Sequence, residues 1–261
     1  MIDTHSHINF PELFNDVESV LARASSVGVT KVVVPATTVD TSESSLELAR
    51  QFPGWVYGCV GIHPCHAHEV SMVEQRAYAQ SIKWDEVTAV GEIGFDAYHL
   101  PSDAEKADKM LELQRATFVF WLELAIQHNK PVIIHSREAF DLTGGILSEM
   151  AEGHPVVIHC FTGGFEEAHF WLELGFHLSV TGVITYKKND ELRDVVSQLP
   201  LERLMIETDA PFLSPEGMRN KTCEPAFVRA VAEKLAEIHF VSFDEIDEIT
   251  SANAQQFFRL S

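Results

Sequence analysis

Basic residues are scarce in this chain. Nineteen Lys and Arg stand against thirty-nine Asp and Glu, a formal net charge of −20 with His neutral. Self-repulsion of this size favours solubility, and it argues against non-specific wrapping of nucleic acid, which needs basic surface. Any anionic substrate must be drawn by local positive charge, from metal or from a few cations. Cysteine is also sparse: Cys59, Cys65, Cys160 and Cys223 are scattered with no Cys-x-x-Cys pair. That pattern reads as reduced packing thiols of a cytoplasmic protein rather than a disulfide frame. No apolar run approaches the ~20 residues of a membrane helix; the richest, residues 116–126, is interrupted by Glu123. The N-terminus lacks a basic segment followed by an apolar one, so no signal peptide is expected. Linkers, low-complexity tracts and short repeats are missing too, which leaves residues 1–261 as one expected domain.

What is present starts with Ile2-Asp3-Thr4-His5-Ser6-His7. On a β-strand alternate side chains share a face, so His5 and His7 are expected together with Asp3 beneath them. Two imidazoles side by side can grip a divalent cation. His-x-His alone is weak; it gains weight from the His, Asp and Glu at the ends of other expected strands.

Strand-like and helix-like segments alternate to the end of the chain. Helical spacing of Val17, Val20, Leu21 and Ala24 predicts a helix over 16–27, stopped by Gly28. Short apolar runs predict strands at 31–35, 55–62, 87–93, 131–135, 155–159, 176–180 and 203–208. Helices are expected over 42–51, 72–81, 102–128, 139–151, from Gly164 through Leu174, 225–239 and 243–258. Nearly continuous apolar strands imply burial on both faces, as in parallel sheets. Eight such strands, each followed by a helix or loop in 261 residues, describe a single (β/α)8 TIM-type barrel better than an open sheet.

Chemistry in such a barrel sits at the C-terminal ends of the strands. There the sequence puts His5 and His7 at the end of strand one, Glu92 at strand four, His135 at five, His159 at six and Asp209 at eight, with His63 just past three. Buried structural polar groups are the bland alternative, but leaving so many without partners is costly. His5, His7 and Asp209 can hold one ion and His135 and His159 a second, with the two oxygens of Glu92 bridging. Imidazole and carboxylate donors suit zinc or manganese first, with magnesium, iron or cobalt possible, and suit calcium poorly. Two such ions can activate a shared water and stabilise attacking and leaving oxygens.

With these residues in place the chain resembles the TatD-type metal-dependent deoxyribonucleases, within the wider amidohydrolase-like barrels. The matching pieces are Asp3-Thr4-His5-Ser6-His7, Gly61-Ile62-His63-Pro64, Gly91-Glu92-Ile93-Gly94-Phe95-Asp96, Ile134-His135-Ser136-Arg137, His159-Cys160-Phe161, Glu207-Thr208-Asp209-Ala210-Pro211 and Glu224-Pro225. They come in order over essentially the whole chain. The resemblance implies a (β/α)8 barrel, two divalent ions on His5, His7, Glu92, His135, His159 and Asp209, and hydrolysis of DNA phosphodiesters. Many relatives read Gly-Leu-Asp where this chain has Gly94-Phe95-Asp96. Residues 215–222 match the family's basic loop only loosely.

Around the ligands, Glu92 and Asp209 are expected to take part in catalysis, and His63 to bond a phosphate or protonate the leaving oxygen. Asp3 and Glu207 lie one layer deeper and are expected to orient a ligand imidazole. Arg137, Arg219 and Lys221 are candidate phosphate contacts; Lys187 and Lys188 extend the patch or are merely solvated. Tyr98 and Phe161 either stack on a base or pack under loops. His66, His68, His99, His154, His169, His177 and His239 read as surface or helix-face residues. The expected activity is phosphodiester hydrolysis of nucleic acid, exonucleolytic, at single-stranded or frayed ends. Hydrolysis of a small phosphoester, lactone or amide at the same site is the alternative, because fold and site motif do not fix substrate. A non-catalytic nucleic-acid binder is a further class, disfavoured by the intact ligand set. A monomer that does not engage membranes is the default.

Overall fold

The computed structural model describes residues 1–261, and its eight strands run in chain order around one parallel sheet. They are β1 (Ile2–Asp3), β2 (Lys31–Val34), β3 (Val56–Val60), β4 (Ala89–Asp96), β5 (Val132–Arg137), β6 (Val156–Ile158), β7 (His177–Val180) and β8 (Leu204–Ile206). Each pairs with the next in parallel. Between β8 and β1 the barrel is nearly closed, by Thr4 N–H to Ile206 O (3.1 Å), Asp209 N–H to His5 O (2.8 Å) and His7 N–H to Ala210 O (2.7 Å). Ten helices surround it: α1 (Pro11–Phe14), α2 (Val17–Ser26), α3 (Val39–Gln51), α4 (Met72–Ser81), α5 (Ala104–Gln127), α6 (Phe140–Met150), α7 (Phe165–Glu173), α8 (Asp190–Val196), α9 (Val228–His239) and α10 (Phe243–Phe258).

Local chemistry sets where several of these helices begin. Ser71 accepts from the Glu74 N–H while Glu74 reaches back to the Ser71 N–H, so α4 starts where the apolar pattern does. In α3 the reciprocal pair is Thr38 with Thr41, which starts the helix at Val39, ahead of the expected Ser42. Two helices lack a readable period. In α8 only Leu192 and Val196 are buried, one turn apart, and α1 buries Leu13 alone. Too few apolar anchors mark such short segments.

Two apolar layers divide the interior. Strand residues such as Val32, Val34, Val132 and Ile134 pack outward on the helices. Ile2, Val33, Cys59, Ala89, Ile133, Val157 and Met205 form a second layer with Ala254, Phe257 and Phe258 of α10. That layer fills the barrel and α10 covers its N-terminal end, so polar groups gather at the opposite end. No helix is long and apolar enough to cross a membrane.

Two irregularities turn the polar groups inward. Ile2 belongs to the inner layer, so strict alternation would send Thr4 and Ser6 inward with it. Instead β1 ends at Asp3, the chain bends at Thr4, and His5 and His7 face the interior. The expected single strand face with Asp3 beneath two histidines is therefore corrected. In β4 the register shifts between Val90 and Ile93. Ala89 and Glu92, three apart, both face inward as a result, and β4 runs on past Glu92 to Asp96.

Candidate metal centre

Glu92 lies at the middle of the strand ends with each carboxylate oxygen facing a different pair of imidazoles. Its Oε2 is 3.1 Å from His5 Nε2 and 3.2 Å from His7 Nε2. Its Oε1 is 3.2 Å from His135 Nδ1 and 2.9 Å from His159 Nε2. Asp209 Oδ1 stands 3.5 Å from both His5 Nε2 and His7 Nε2. The rings of His5 and His159 stack at 4.0 Å, which brings the two halves against each other. All six residues are at least half-buried, and Glu92 is 3% exposed.

The outward nitrogens fix which inward nitrogens are bare. His159 Nδ1–H donates to Glu207 Oε1 (3.2 Å), an oxygen that also accepts the Cys160 N–H (2.7 Å). His135 Nε2–H donates to Asp96 Oδ2 (3.1 Å). Lone pairs of His135 Nδ1 and His159 Nε2, 3.3 Å apart, therefore converge on Glu92 Oε1. His5 and His7 also bring their Nε2 atoms to 3.3 Å, but both Nδ1 atoms are buried without a partner, so no acceptor behind these two rings sets the tautomer. Converging bare donors repel one another unless a cation lies between them. This donor set fits divalent metal: each half offers two imidazoles and a carboxylate oxygen, with Asp209 added on one side.

Without metal, protons must take that place. Burial opposes charge on His7, but Asp209 and Glu92 beside it push the imidazole up to about 9. His159 and His135 are likewise raised against burial, the first chiefly by Glu92 and the second by Asp96 and Glu92. Burial would raise Glu92, yet the surrounding imidazoles hold it well below the usual carboxylate range. Metal must displace these protons, so affinity is expected to increase with pH up to the region of 9. Each proton released contributes about tenfold per pH unit. Cobalt or zinc affinities measured at several pH values check this; affinity independent of pH near neutrality would contradict it.

His63 Nε2 lies 3.6 Å from Glu92 Oε1, close enough to count among the donors of the second half. Its Nδ1, however, accepts the Cys65 backbone N–H (3.1 Å), so in the neutral ring Nε2 keeps the proton and has no lone pair for a metal. Burial, helped by His135, holds His63 neutral by pulling it well below the usual imidazole range. It presents an N–H donor at the edge of the centre.

Behind the donors Glu207 contacts a ligand ring as expected, and Asp3 does not. Asp3 accepts from Thr208 N–H (3.0 Å), Thr208 Oγ1–H (2.6 Å) and the backbone N–H of His5 (3.3 Å). It ties β1 to the segment after β8 rather than orienting an imidazole, and burial pushes it up to about 8. Asp96 is the supporting residue that strand-end reasoning missed. It sits four after Glu92 on one strand face, a spacing that offered the signal. Gly94 between them has φ +139°, and a Cβ there would come 2.0 Å from His135 O. Only glycine lets β4 and β5 approach closely enough for that pairing.

The candidate substrate cations are all exposed. Arg137 follows His135 by two residues and its guanidinium covers the Tyr98 ring at 4.0 Å, so that face of Tyr98 is not open for base stacking. Arg219 lies over Tyr186 at 4.4 Å, and Lys221 is in the same loop after β8. Phe161 is 4% exposed and packs in the core, which removes it as a stacking platform. Phe212, which no sequence pattern marks, is half exposed and stands 6.4 Å from the His7 ring and 6.2 Å from Phe10. His99, expected to be a bland surface group, donates from Nδ1 to Asp96 Oδ2 at 2.9 Å.

Comparison with known proteins agrees with this geometry. The family model described as TatD related DNase matches residues 2–259. An uncharacterized metal-dependent hydrolase, YabD of Bacillus subtilis, is 35% identical over the full length of both chains. A protein of Edwardsiella piscicida named 3'-5' ssDNA/RNA exonuclease TatD is 31% identical, again over the full length of both. The crystal structure of YjjV, a TatD homolog from Escherichia coli K12, superposes with a TM-score of 0.90 at 32% identity, covering 100% of this chain and 98% of that one. The chain thus belongs to the TatD-related DNase family of metal-dependent hydrolases.

Proposed function

We propose that this protein is a two-metal phosphodiesterase that trims nucleic acid from an end, on single strands or frayed duplexes. The observation supporting it most directly is the division of Glu92, one oxygen for each imidazole pair. A pair of divalent ions of the zinc or manganese class would supply polarisation of the phosphoryl oxygens and a water acidic enough to attack phosphorus near neutral pH. His5, His7, His135, His159, Glu92 and Asp209 would hold them. Asp209, partly open to solvent, accepts the proton of the attacking water. His63, neutral and carrying its proton on Nε2, donates a hydrogen bond to the leaving oxygen or to a phosphate oxygen. Glu207 and Asp96 keep the His159 and His135 rings turned toward the centre. The Edwardsiella relative's name points to the same substrate class.

Charge favours trimming an end over gripping a long backbone. A chain at −20 with Arg137, Arg219 and Lys221 at its rim engages few phosphates. Each neutralised phosphate contributes roughly −0.7 to the log–log salt slope for single strands. The expected slope for single-stranded DNA in the presence of metal is no steeper than about −3, and shallower for Arg219→Ala. The experiment pairs that slope with digestion of end-labelled single strands and closed circular DNA by stripped and reloaded protein. Product ladders from one end support the reading. A slope near about −7, or rapid linearisation of circles, overturns it.

A further inference from the structure

A second group of metal-type donors lies beside the centre, and none of its side chains is among the six ligands of that centre. Cys65 sits in the short turn Pro64–His66 after β3, Asp96 ends β4, and His99 lies in the loop leading to α5. Cys65 Sγ is 3.8 Å from His99 Nδ1, and that nitrogen is 2.9 Å from Asp96 Oδ2. One donor atom from each residue falls within 4.8 Å of the others. His99 Nδ1 carries a single proton and faces both a sulfur and a carboxylate oxygen, and one hydrogen cannot serve both well. The other Asp96 oxygen accepts the His99 backbone N–H at 2.8 Å, so the loop is anchored to the carboxylate it shares. Asp96 is 1% exposed, whereas Cys65 is partly open and His99 half-exposed, which leaves an approach from solvent.

We propose that Cys65, Asp96 and His99 form an additional mononuclear site for a thiophilic divalent cation of the zinc class, with a water in the fourth position. Sulfur, nitrogen and oxygen donors from three protein residues with one open position are the set such an ion takes. Binding releases the Cys65 thiol proton to solvent and moves the single His99 proton from Nδ1 to Nε2, so that metal–sulfur and metal–nitrogen bonds form to a thiolate and a neutral imidazole. Magnesium, which prefers oxygen ligands, is not retained there. The site communicates with the main centre through one carboxylate, because Asp96 Oδ2 also accepts from His135 Nε2 at 3.1 Å. A cation on Asp96 draws charge from that oxygen and makes His135 Nδ1 a poorer donor to its own ion. Occupancy of the additional site therefore weakens metal held by His135 and His159.

Cobalt(II) titration of the metal-stripped full chain, followed by absorption, tests this directly. The donors of the main centre contain no sulfur, so a thiolate-to-cobalt charge-transfer band in the near ultraviolet reports the additional site whether or not the protein is a nuclease. The band is expected in wild type and in Cys160→Ser, the control for the thiol beside His159. It is expected to vanish in Cys65→Ser with one equivalent of cobalt lost, and His99→Ala should weaken the affinity it reports by at least about tenfold. Absence of the band at saturating cobalt overturns the proposal. Persistence of the band in Cys65→Ser does so too.

Discussion

Glu92→Gln is expected to lower turnover by about 1000-fold, equivalent to about 4 kcal/mol of barrier. On the two-ion reading proposed above, it should also reduce bound metal from two ions per chain toward one. Glutamine keeps the shape of a side chain that is 3% exposed, so the barrel should still form. What changes is that an amide has one oxygen and one NH2. Whichever way it turns, one imidazole pair meets hydrogen atoms where it met an acceptor, at the 2.9–3.2 Å separations of the wild type. The nitrogen has no lone pair to offer an ion, and the negative charge proposed to balance two cations is gone. Metal content of reloaded protein and turnover, measured together, check this. A glutamine variant that keeps two ions and turns over within about tenfold of wild type would remove Glu92 from the bridging role.

Asp209→Asn is expected to leave the protein folded, with unchanged melting and metal content at saturating metal. Turnover should drop at least ~100-fold, the scale of lost general-base help. Asparagine is the informative substitution because Asp209 has φ +57°, a left-handed conformation that Asp and Asn tolerate through local hydrogen bonding. Alanine would confound chemistry with backbone strain. The Asn side chain still presents an oxygen 3.5 Å from His5 and His7 but cannot accept a proton at neutral pH. Near-normal turnover would exclude Asp209 as the proton acceptor.

The two effects are separable because the residues stand differently toward the centre. Glu92 is enclosed by the imidazoles, so its substitution is expected to act on how much metal is held. Asp209 is partly open to solvent, so its substitution is expected to act on proton transfer from water there. His63 completes the edge: the Cys65 N–H fixes its tautomer and leaves it an Nε2–H that can donate a hydrogen bond.

The barrel and most of the donors were legible from the sequence because both rest on local rules. Short apolar runs separated by helical periods are a one-dimensional pattern, and α4 and α10 begin and end where that pattern says. His135, His159 and Asp209 stand at the ends of such runs, where the architecture gathers polar groups. The relations among those groups were not legible, because they depend on atoms brought together from distant segments. The bend at Thr4 and the register shift in β4 decide that His5, His7 and Glu92 face inward. Asp3 looked equivalent to Glu207 by depth along its strand, but Thr208, 205 residues away, takes its oxygens. Asp96 and His99 lie three residues apart, yet only the approach of β5 makes the carboxylate a support for His135, and only the turn after β3 brings Cys65 to His99. Sequence by itself determined which residue types reach the rim of the barrel, since alternation and helix period act within a few residues. Tertiary structure decided which nitrogen of His135 and of His159 is bare, because each ring's proton goes to the acceptor, Asp96 or Glu207, that the rest of the fold places behind it.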